Sequence, residues 1–179
     1  MSEPIVGVVT GSNDDVEVMR EAVDVLADEF GIGCEVRILS GHDTPDELLE
    51  WARTASERGL KVVIAGASSA THLPAILAGA TSLPVIGVPC RGGNVNALDA
   101  LLATAQMPDG VPVATVGVDA ARNAGLLAAR ILGTSDQELR AACDRFRDER
   151  AQELRDQDTR VREQFDRVRE GKPTFGFTP

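Results

Sequence analysis

Two kinds of hydrophobic pattern alternate along residues 1–133 of the chain. One is a short, continuous run of apolar and β-branched residues, which is typical of a strand buried on both faces of a sheet. The other places apolar residues at every third or fourth position, as in a helix with one buried side. Runs of this kind predict strands at residues 5–10, 61–67, 83–88 and 111–118, and residues 34–39 are predicted as a further strand. The periodic segments predict helices at residues 16–30, 45–55, 74–80, 96–106 and 120–132.

Strands that alternate with helices across short turns predict a parallel sheet with right-handed crossovers and helices on both faces. We therefore expect residues 1–133 to form a single α/β unit. Its architecture should be a three-layer α/β/α sandwich of flavodoxin-like or Rossmann-like type. In such open sheets, ligands bind outside the carboxyl ends of the strands. The turns that follow the strands are therefore where functional side chains are expected.

Two helix starts carry the spacing of a capping box, in which two side chains satisfy the free backbone N–H groups of the first turn. Thr44 and Glu47 have this spacing, with Pro45 at the first helical position between them. Ser135 and Glu138 predict a second capping box at the start of the C-terminal region.

The C-terminal region, residues 134–179, has no strand pattern and is rich in charged residues. A sparse apolar seam at helical spacing consists of Leu139, Cys143, Phe146, Leu154, Val161, Phe165 and Val168. We expect one or two helices that lie on the core or on a neighbouring subunit, with a solvated surface helix as the alternative. Residues 171–179 should form an extended arm or be disordered.

The composition narrows the class of protein. The net charge of −10 argues against nonspecific binding to nucleic acid, and no apolar run is long enough for a membrane span. An acidic surface with few lysines suits either a salt-rich habitat or an arginine-rich proteome. The first residues lack the features of a signal peptide, and the three cysteines have neither disulfide nor zinc spacing. These features predict a cytoplasmic protein with reduced thiols and no metal.

The turn after the first strand places Ser12, Asp14 and Asp15 at the start of a helix. A serine hydroxyl and free helix N–H groups favour an anion, whereas two aspartates would repel a bare phosphate. The carboxylates suit sugar hydroxyls, and helix capping alone is an equally good explanation.

The turn after the second strand contains Ser40, His42 and Asp43. Histidine titrates near neutral pH, so an imidazole at the mouth of the cleft can both donate and accept a proton. His42 is therefore the candidate catalytic residue, with a structural histidine as the alternative. Asp43 either orients His42 or is a surface charge.

The next two turns contribute small and polar side chains. Ser68 and Ser69 follow the third strand and can hold polar atoms of a ligand, while His72 is expected to be buried or to support the site from behind. Arg91 follows the fourth strand and is a candidate cation. The neighbouring Cys90 is a weaker candidate nucleophile, because no base is placed near it in the sequence.

These segments together resemble the carboxyaminoimidazole ribonucleotide mutase / aminoimidazole ribonucleotide carboxylase family. The family pattern Ser-Ala-His-Arg-Thr-Pro is matched by Ser-Gly-His-Asp-Thr-Pro at residues 40–45. Ala-Gly-Ala-Gly-Gly-Ala-Ala-His-Leu-Pro is matched by Ala-Gly-Ala-Ser-Ser-Ala-Thr-His-Leu-Pro at residues 65–74. Gly-Ser-x-Ser-Asp is matched at residues 11–15, Pro-Val-x-Gly-Val-Pro at 84–89, and Gln-Met-Pro-x-Gly-x-Pro-Val at 106–113. Asn-Ala-x-Leu-Leu-Ala is matched at residues 123–128.

The resemblance implies a catalytic domain at residues 1–133 and a C-terminal extension that reaches neighbouring subunits of a homo-octamer. It implies a ribonucleotide substrate and no metal or organic cofactor. In the implied reaction, N5-carboxyaminoimidazole ribonucleotide loses its carboxylate as carbon dioxide, and a ring carbon then captures it. The resemblance assigns proton transfer to His42, and contact with the ribose phosphate to Ser12, Asp15 and Ser40.

The chain departs from the family pattern at the phosphate site. Asp43 replaces an arginine that binds the phosphate, Asp14 replaces a serine, and Ser68 and Ser69 replace glycines. An exchange of cation for anion changes one such contact by on the order of a few kcal/mol. Either another cation compensates, with Arg91 as the candidate, or the substrate differs.

Three alternatives to the mutase therefore stay open on the sequence. One is direct carboxylation of aminoimidazole ribonucleotide by carbon dioxide, and another is the same chemistry on a different carboxylated heterocycle. The third is a non-catalytic nucleotide-binding or regulatory module. A signalling receiver would need an aspartate at the end of the third strand, where the chain has Ala65-Gly66-Ala67.

Overall fold

The computed structural model describes residues 3–68, 72–92 and 96–169, with side chains to residue 166. The strands are β1 (Val6–Thr10), β2 (Cys34–Ile38), β3 (Val62–Ala67), β4 (Val85–Pro89) and β5 (Ala114–Thr115). The helices are α1 (Val16–Phe30), α2 (Pro45–Thr54), α3 (Leu73–Ala80), α4 (Ala97–Ala105), α5 (Ala121–Leu132) and α6 (Gln137–Arg169). A 3-10 turn, Asn13–Asp15, leads into α1.

All strand pairs are parallel, and the sheet order is β2-β1-β3-β4-β5. This is the doubly wound order of flavodoxin-like folds, in which the chain reverses its direction of winding between β1 and β3. The predicted α/β/α class is therefore confirmed. The reversal matters for function because it opens a crevice at the carboxyl ends of β1 and β3.

Two apolar layers cover the sheet, and alternate strand residues point into each. Val8 and Ile64 face the layer formed with α1 and α5, whereas Val9 and Val63 face the layer formed with α2 and α3. Every residue of β1, β3 and β4 is buried, which explains why these strands read as continuous apolar runs. The edge strand β2 is more exposed, at Val36 and Ile38 above all.

The fifth strand is shorter than the pattern at residues 111–118 predicts, since only Ala114–Thr115 pairs as a strand with β4. Pro112 has no N–H to donate to a ladder, which limits pairing at the start of the run. Beyond it, Val116 N donates to Gly87 O at 3.1 Å and Asp119 N donates to Pro89 O at 2.8 Å. The segment therefore follows β4 through single hydrogen bonds.

The two predicted capping boxes are wrong, although both helices begin close to the predicted residues. Thr44 is the residue before α2 and Pro45 is its first residue, but the Thr44 hydroxyl makes no capping bond. It bonds to Ser40 instead. At the start of α6, the carboxylate of Asp136 accepts from Leu139 N at 3.0 Å, while Ser135 Oγ donates to Leu132 O.

The C-terminal region forms one continuous helix, α6, and only its first part packs on the core. Leu139 is buried and Phe146 is half-buried, with its ring 5.9 Å from that of Phe30 on α1. Farther along the seam, Leu154 and Phe165 are 66% and 64% exposed. Val168 and residues 171–179 lie outside the residues whose side chains or structure are described. Among the described helices, none is both long and apolar enough to cross a membrane.

Candidate active site

The sheet order gathers three of the candidate turns at one edge. Because β1 lies between β2 and β3, the turn after β1 is flanked by the turn that carries His42 and the turn that carries His72. The carboxyl ends of parallel strands share one edge of the sheet, so all three turns open on the same side. The turn after β4, which carries Arg91, is the next along that edge.

The first turn is held by hydrogen bonds from its own side chains. Thr10, at the end of β1, donates its hydroxyl to Ser12 O and accepts from Ser12 N. Ser12 Oγ accepts from Asp14 N at 3.2 Å and so caps the 3-10 turn. Ser12 therefore caps the 3-10 turn, whereas Asp15, the residue before α1, makes no side-chain capping bond. Capping of α1 by Asp15 is thus a wrong prediction, and a contact between Ser12 and a phosphate stays a prediction.

Asp15 ties the first turn to the third. Its side chain is only 2% exposed, and Oδ2 accepts from Ser68 N at 3.3 Å. Ser68 itself is buried. A buried carboxylate needs such a donor, because an unpaired charge away from water is costly. Asp15 therefore joins the turn after β1 to the turn after β3, just beyond the paired ends of these strands.

The second turn is organised around Ser40. Ser40 Oγ accepts from the backbone N–H groups of His42 and Asp43 at 3.2 and 3.1 Å, and donates to Asp43 Oδ2 at 3.0 Å. Thr44 Oγ1 accepts from Ser40 N at 2.9 Å and donates to Ser40 O. Among the described residues, the Asp43 carboxylate thus bonds Ser40 and not the His42 ring. The turn is a compact loop that presents His42 at its tip.

The two histidines of the chain meet in space. The ring centroids of His42 and His72 lie 4.4 Å apart in an edge-on arrangement, with an angle of 64° between the planes. His42 is exposed and His72 is half-buried behind it. The structure therefore brings an accessible imidazole from the turn after β2 into contact with a second one at the start of α3.

The environment of His72 favours its neutral form. Burial lowers the pKa of the His72 imidazole below its ordinary value, and the nearby His42 ring lowers that pKa further. A neutral imidazole has one ring nitrogen that donates and one that accepts, so His72 is suited to orient a neighbour rather than to repel it.

The fourth turn is held by a residue that sequence reasoning did not single out. Asp119 has a left-handed backbone (φ 55°), and Oδ1 of its carboxylate accepts from Arg91 N at 2.7 Å. Its Oδ2 lies 3.2 Å from Arg91 Nε. The only sequence signal was an aspartate two residues before α5, which resembles an ordinary helix start. Aspartate is among the few non-glycine residues that adopt this backbone readily.

Arg91 does not lie beside Asp43. Their turns follow β4 and β2, which are three strand spacings apart in the sheet, or roughly 14 Å. The Arg91 side chain is 76% exposed and is already paired with Asp119. Compensation by Arg91 for the anion at position 43 stays a prediction. Ser69 lies outside the described residues.

Cys90 is unsuited to be a nucleophile. It is buried, and burial raises the pKa of its thiol to about 12, assisted by the negative charges of Asp15 and Asp119. Only the thiolate is nucleophilic, so this thiol is inert at neutral pH. Within the described ranges, no group of His, Cys, Asp and Glu side chains is arranged to hold a metal ion.

A cavity elsewhere in the molecule has side chains less suited to proton transfer than the histidine pair. It measures about 370 Å³ and lies between α5 and α6. Its lining comprises Arg130, Gly133, Thr134, Arg140, Cys143, Asp144 and Arg147. Arg140 donates to the Gly133 and Thr134 carbonyls, and Arg147 pairs with Asp144. These arginines mainly stabilise the helix junction, and His42 and His72 stay the candidate proton-transfer groups.

Comparison with known proteins identifies the family to which the chain is similar. The AIR carboxylase family model matches residues 5–153, which include all the candidate turns. The N5-carboxyaminoimidazole ribonucleotide mutase of Mycobacterium leprae is 53% identical over 156 residues, covering 87% of this chain and 91% of the relative. The enzyme of the same name from Pyrococcus horikoshii is 46% identical over 168 residues, covering 94% and 90%.

Solved structures support the same fold. A crystal structure of Treponema denticola PurE superposes with a TM-score of 0.78 and 24% identity, covering 88% of this chain and 98% of that one. At this identity the likeness shows the fold alone.

Proposed function

The chain belongs to the AIR carboxylase family, and on that basis we propose that it is an isomerase of purine biosynthesis acting on N5-carboxyaminoimidazole ribonucleotide. Its product is 4-carboxy-5-aminoimidazole ribonucleotide. The observation that carries this proposal at the site is the exposed His42 ring, which lies 4.4 Å from His72 beside the crevice of the sheet.

His42 transfers the proton in this reaction. As the bond between the exocyclic nitrogen and its carboxylate breaks, His42 donates a proton to that nitrogen and carbon dioxide is released. The ring carbon then attacks the carbon dioxide, and His42 takes up the proton that this carbon loses. One imidazole thus acts first as an acid and then as a base, and the overall reaction is an isomerisation. Carbon dioxide must stay in the site between the two steps, so water has to be excluded.

The other predicted site residues bind the ribonucleotide. Ser12 and Ser40 carry hydroxyls in the turns after β1 and β2. Asp15 and Ser68 are joined to each other by a hydrogen bond between the turns after β1 and β3. We assign the ribose phosphate to the first two turns and the imidazole to the space before His42. Asp43, Ser69, His72 and Arg91 complete the proposed set.

The larger-scale features of the proposal concern domain organisation, assembly and location. Residues 1–133 form the catalytic domain, and residues 134–179 form an extension that packs on the core and on neighbouring subunits of a homo-octamer. The exposed apolar seam on the second part of α6 supports this assembly. The absence of disulfides among the three cysteines fits a cytoplasmic location.

The experiment follows conversion of N5-carboxyaminoimidazole ribonucleotide by the pure protein, without ATP, over a range of salt concentrations. We expect wild-type turnover, and a loss of at least about a hundred-fold in His42→Asn, because asparagine cannot transfer the proton. Asp46→Asn, an exposed change in the first turn of α2, is the matched control and should stay active.

Two outcomes would contradict the proposal: a folded wild type without turnover at any salt concentration, or full activity in His42→Asn. Addition of bicarbonate separates the mutase from a carboxylase. Formation of the same product from aminoimidazole ribonucleotide, at a rate that depends on bicarbonate, would favour direct carboxylation.

A further inference from the structure

The Thr44 hydroxyl closes the loop that carries His42. Thr44 Oγ1 accepts from Ser40 N at 2.9 Å and donates to Ser40 O at 3.2 Å. The backbone N–H of Thr44 also donates to Ser40 O, at 3.1 Å. Hydrogen bonds therefore join the two ends of residues 40–44, with His42 at the centre of the loop. Most of this closure comes from one side-chain oxygen, because it takes part in both bonds that the Thr44 side chain makes.

Both ends of this loop are attached to rigid elements. On the strand side, Leu39 is 4% exposed, and its N–H donates to Thr10 O at 2.9 Å just beyond the paired residues of β2. On the helix side, Leu48 is fully buried, and its N–H donates to Thr44 O at 3.0 Å in the first turn of α2. The Thr44 hydroxyl thus bonds the start of a buried helix to the end of a strand.

The hydroxyl is available for this role because α2 does not use it. A threonine before a helix ordinarily accepts from an N–H of the first turn. Thr44 makes no such bond, and Pro45 already has the φ angle that the first residue of a helix requires. Removal of the hydroxyl therefore takes no capping bond from α2, and its main effect falls on the loop.

The position of His42 follows from this closure. His42 is exposed, so packing against the core does not fix it. Its N–H donates to Ser40 Oγ at 3.2 Å, and the backbone of Ser40 is what Thr44 holds on both sides. The hydrogen bonds therefore run from the Thr44 hydroxyl through Ser40 to the backbone of His42. A loop of changed shape would move His42 relative to the His72 ring, whose centroid is 4.4 Å away.

We propose that Thr44 is a positioning residue for His42: its hydroxyl holds residues 40–44 in the shape from which the imidazole transfers its proton. This inference rests on the proposed function of His42. It predicts that catalysis depends on the hydroxyl at position 44 and not on the branched shape of the side chain.

The test uses the full chain and compares variants that keep the hydroxyl with variants that lack it. Thr44→Ser keeps the hydroxyl, Thr44→Val keeps the branched shape without it, and Thr44→Ala lacks both. Thr54→Val is the matched control, because Thr54 also donates its hydroxyl to a backbone carbonyl, that of Glu50 at 2.8 Å, at the other end of α2. Circular dichroism and thermal unfolding establish whether each variant is folded.

The first readout is hydrogen exchange measured by mass spectrometry, which needs no substrate. The N–H groups of Ser40, His42 and Asp43 all donate within the loop. Such groups exchange when their hydrogen bonds open, so a peptide that covers residues 40–44 reports on the closure of the loop. We expect exchange about five-fold faster in Thr44→Val and Thr44→Ala, the effect of losing about one hydrogen bond. Thr44→Ser and Thr54→Val should exchange like wild type.

The second readout is kinetic. We expect Thr44→Val and Thr44→Ala to lower kcat on the order of ten-fold with a smaller change in KM, because a small displacement misaligns proton transfer more than binding. Thr44→Ser should keep kcat within about three-fold of wild type, because a serine hydroxyl can donate and accept in the same way. Thr54→Val should have the wild-type kcat.

The proposal is overturned if both hydroxyl-free variants keep the wild-type kcat, or if Thr44→Ser loses as much kcat as Thr44→Val. It is also overturned if kcat falls while exchange in the loop is unchanged, or if KM rises as much as kcat falls, because that would indicate a binding role. Failure of both hydroxyl-free variants to fold would overturn it too, since the hydroxyl would then stabilise the whole domain.

If wild type itself has no turnover, the proposed function fails. Hydrogen exchange in residues 40–44 alone then decides whether Thr44 holds the loop.

Discussion

At the scale of single residues, the charge at position 43 is the sharpest difference between this site and the family pattern. Asp43 is exposed, and its carboxylate accepts from the hydroxyl of Ser40, which also binds two backbone N–H groups of the turn. An anion therefore stands where the family pattern has a cation for the phosphate. The Ser40 hydroxyl stabilises the loop through these three hydrogen bonds. Any phosphate bound in this turn would lie close to the negative charge of Asp43.

Replacing that anion by the family's cation should strengthen binding of a phosphorylated ligand. We expect Asp43→Arg to lower the Kd for aminoimidazole ribonucleotide by about ten-fold at low salt, and less at high salt, because exposed charges are screened. Isothermal titration of wild type and variant measures this difference. Asp46→Arg makes the same change of charge one residue into α2 and serves as the control. Equal affinities of wild type and Asp43→Arg would place the phosphate away from this turn.

At the scale of the elements, the two parts of the continuous helix α6 have different surroundings. Its first part packs on α1 and α5 through Leu139 and Phe146, and Arg122 of α5 lies over the Phe146 ring at 5.9 Å. Its second part carries the rest of the apolar seam, and no other described part of the chain packs against these side chains. Leu154, Val161 and Phe165 fall on one face, since their spacings of seven and four residues are close to whole helical turns. Large apolar side chains aligned in this way favour burial against another chain.

A charge on this face should therefore weaken the proposed assembly without unfolding the domain. We expect Phe165→Asp to lower the molar mass measured by light scattering from that of eight 18.9 kDa chains to smaller species. Its circular dichroism should match that of wild type, because Phe165 is 64% exposed in the chain. Gln152→Asp, on the opposite side of α6, adds the same charge and should leave the mass unchanged. An unaltered mass in Phe165→Asp would exclude this face from the contact.

At the scale of the whole molecule, repulsion among like charges is the main electrostatic feature. The chain contains 28 acidic and 18 basic residues and carries a net charge of −10. Many ion pairs within α6 are local and exposed, such as Arg150 with Glu153, and such pairs contribute little to stability. The surplus of negative charge is therefore not offset by specific contacts, and it destabilises the compact state at low ionic strength.

Salt should stabilise this protein. The Debye length falls from about 10 Å at 0.1 M to about 3 Å at 1 M, so added salt removes most of the repulsion between surface carboxylates. We expect Tm to rise by at least about 5 °C between 0.1 and 2 M potassium chloride, measured by differential scanning fluorimetry at pH 7. Because screening acts on charge alone, sodium chloride should have a similar effect. A Tm that stays level or falls would show that net charge does not limit stability.

Much of the fold was predictable because it depends on patterns that are local in the chain. Apolar patterns along the chain located β1 to β4 and all the helices of the α/β unit. The length of the fifth strand was overestimated. The apolar pattern of residues 111–118 does not show that single hydrogen bonds, and not a regular ladder, join the end of this segment to β4. The capping boxes failed for a related reason, since the hydroxyl of Thr44 had a closer partner in Ser40 than in its own helix.

The sequence by itself determined the alternation of strands and helices, the parallel sheet and the turns in which His42 and its polar neighbours lie. Apolar periodicity is sufficient for this, because burial against a sheet allows few arrangements. Only the tertiary structure decided that His42 meets His72, that Asp15 joins the first turn to Ser68, and that Arg91 is held by Asp119. These contacts depend on side-chain reach across neighbouring turns. Spacing along the chain does not encode that reach.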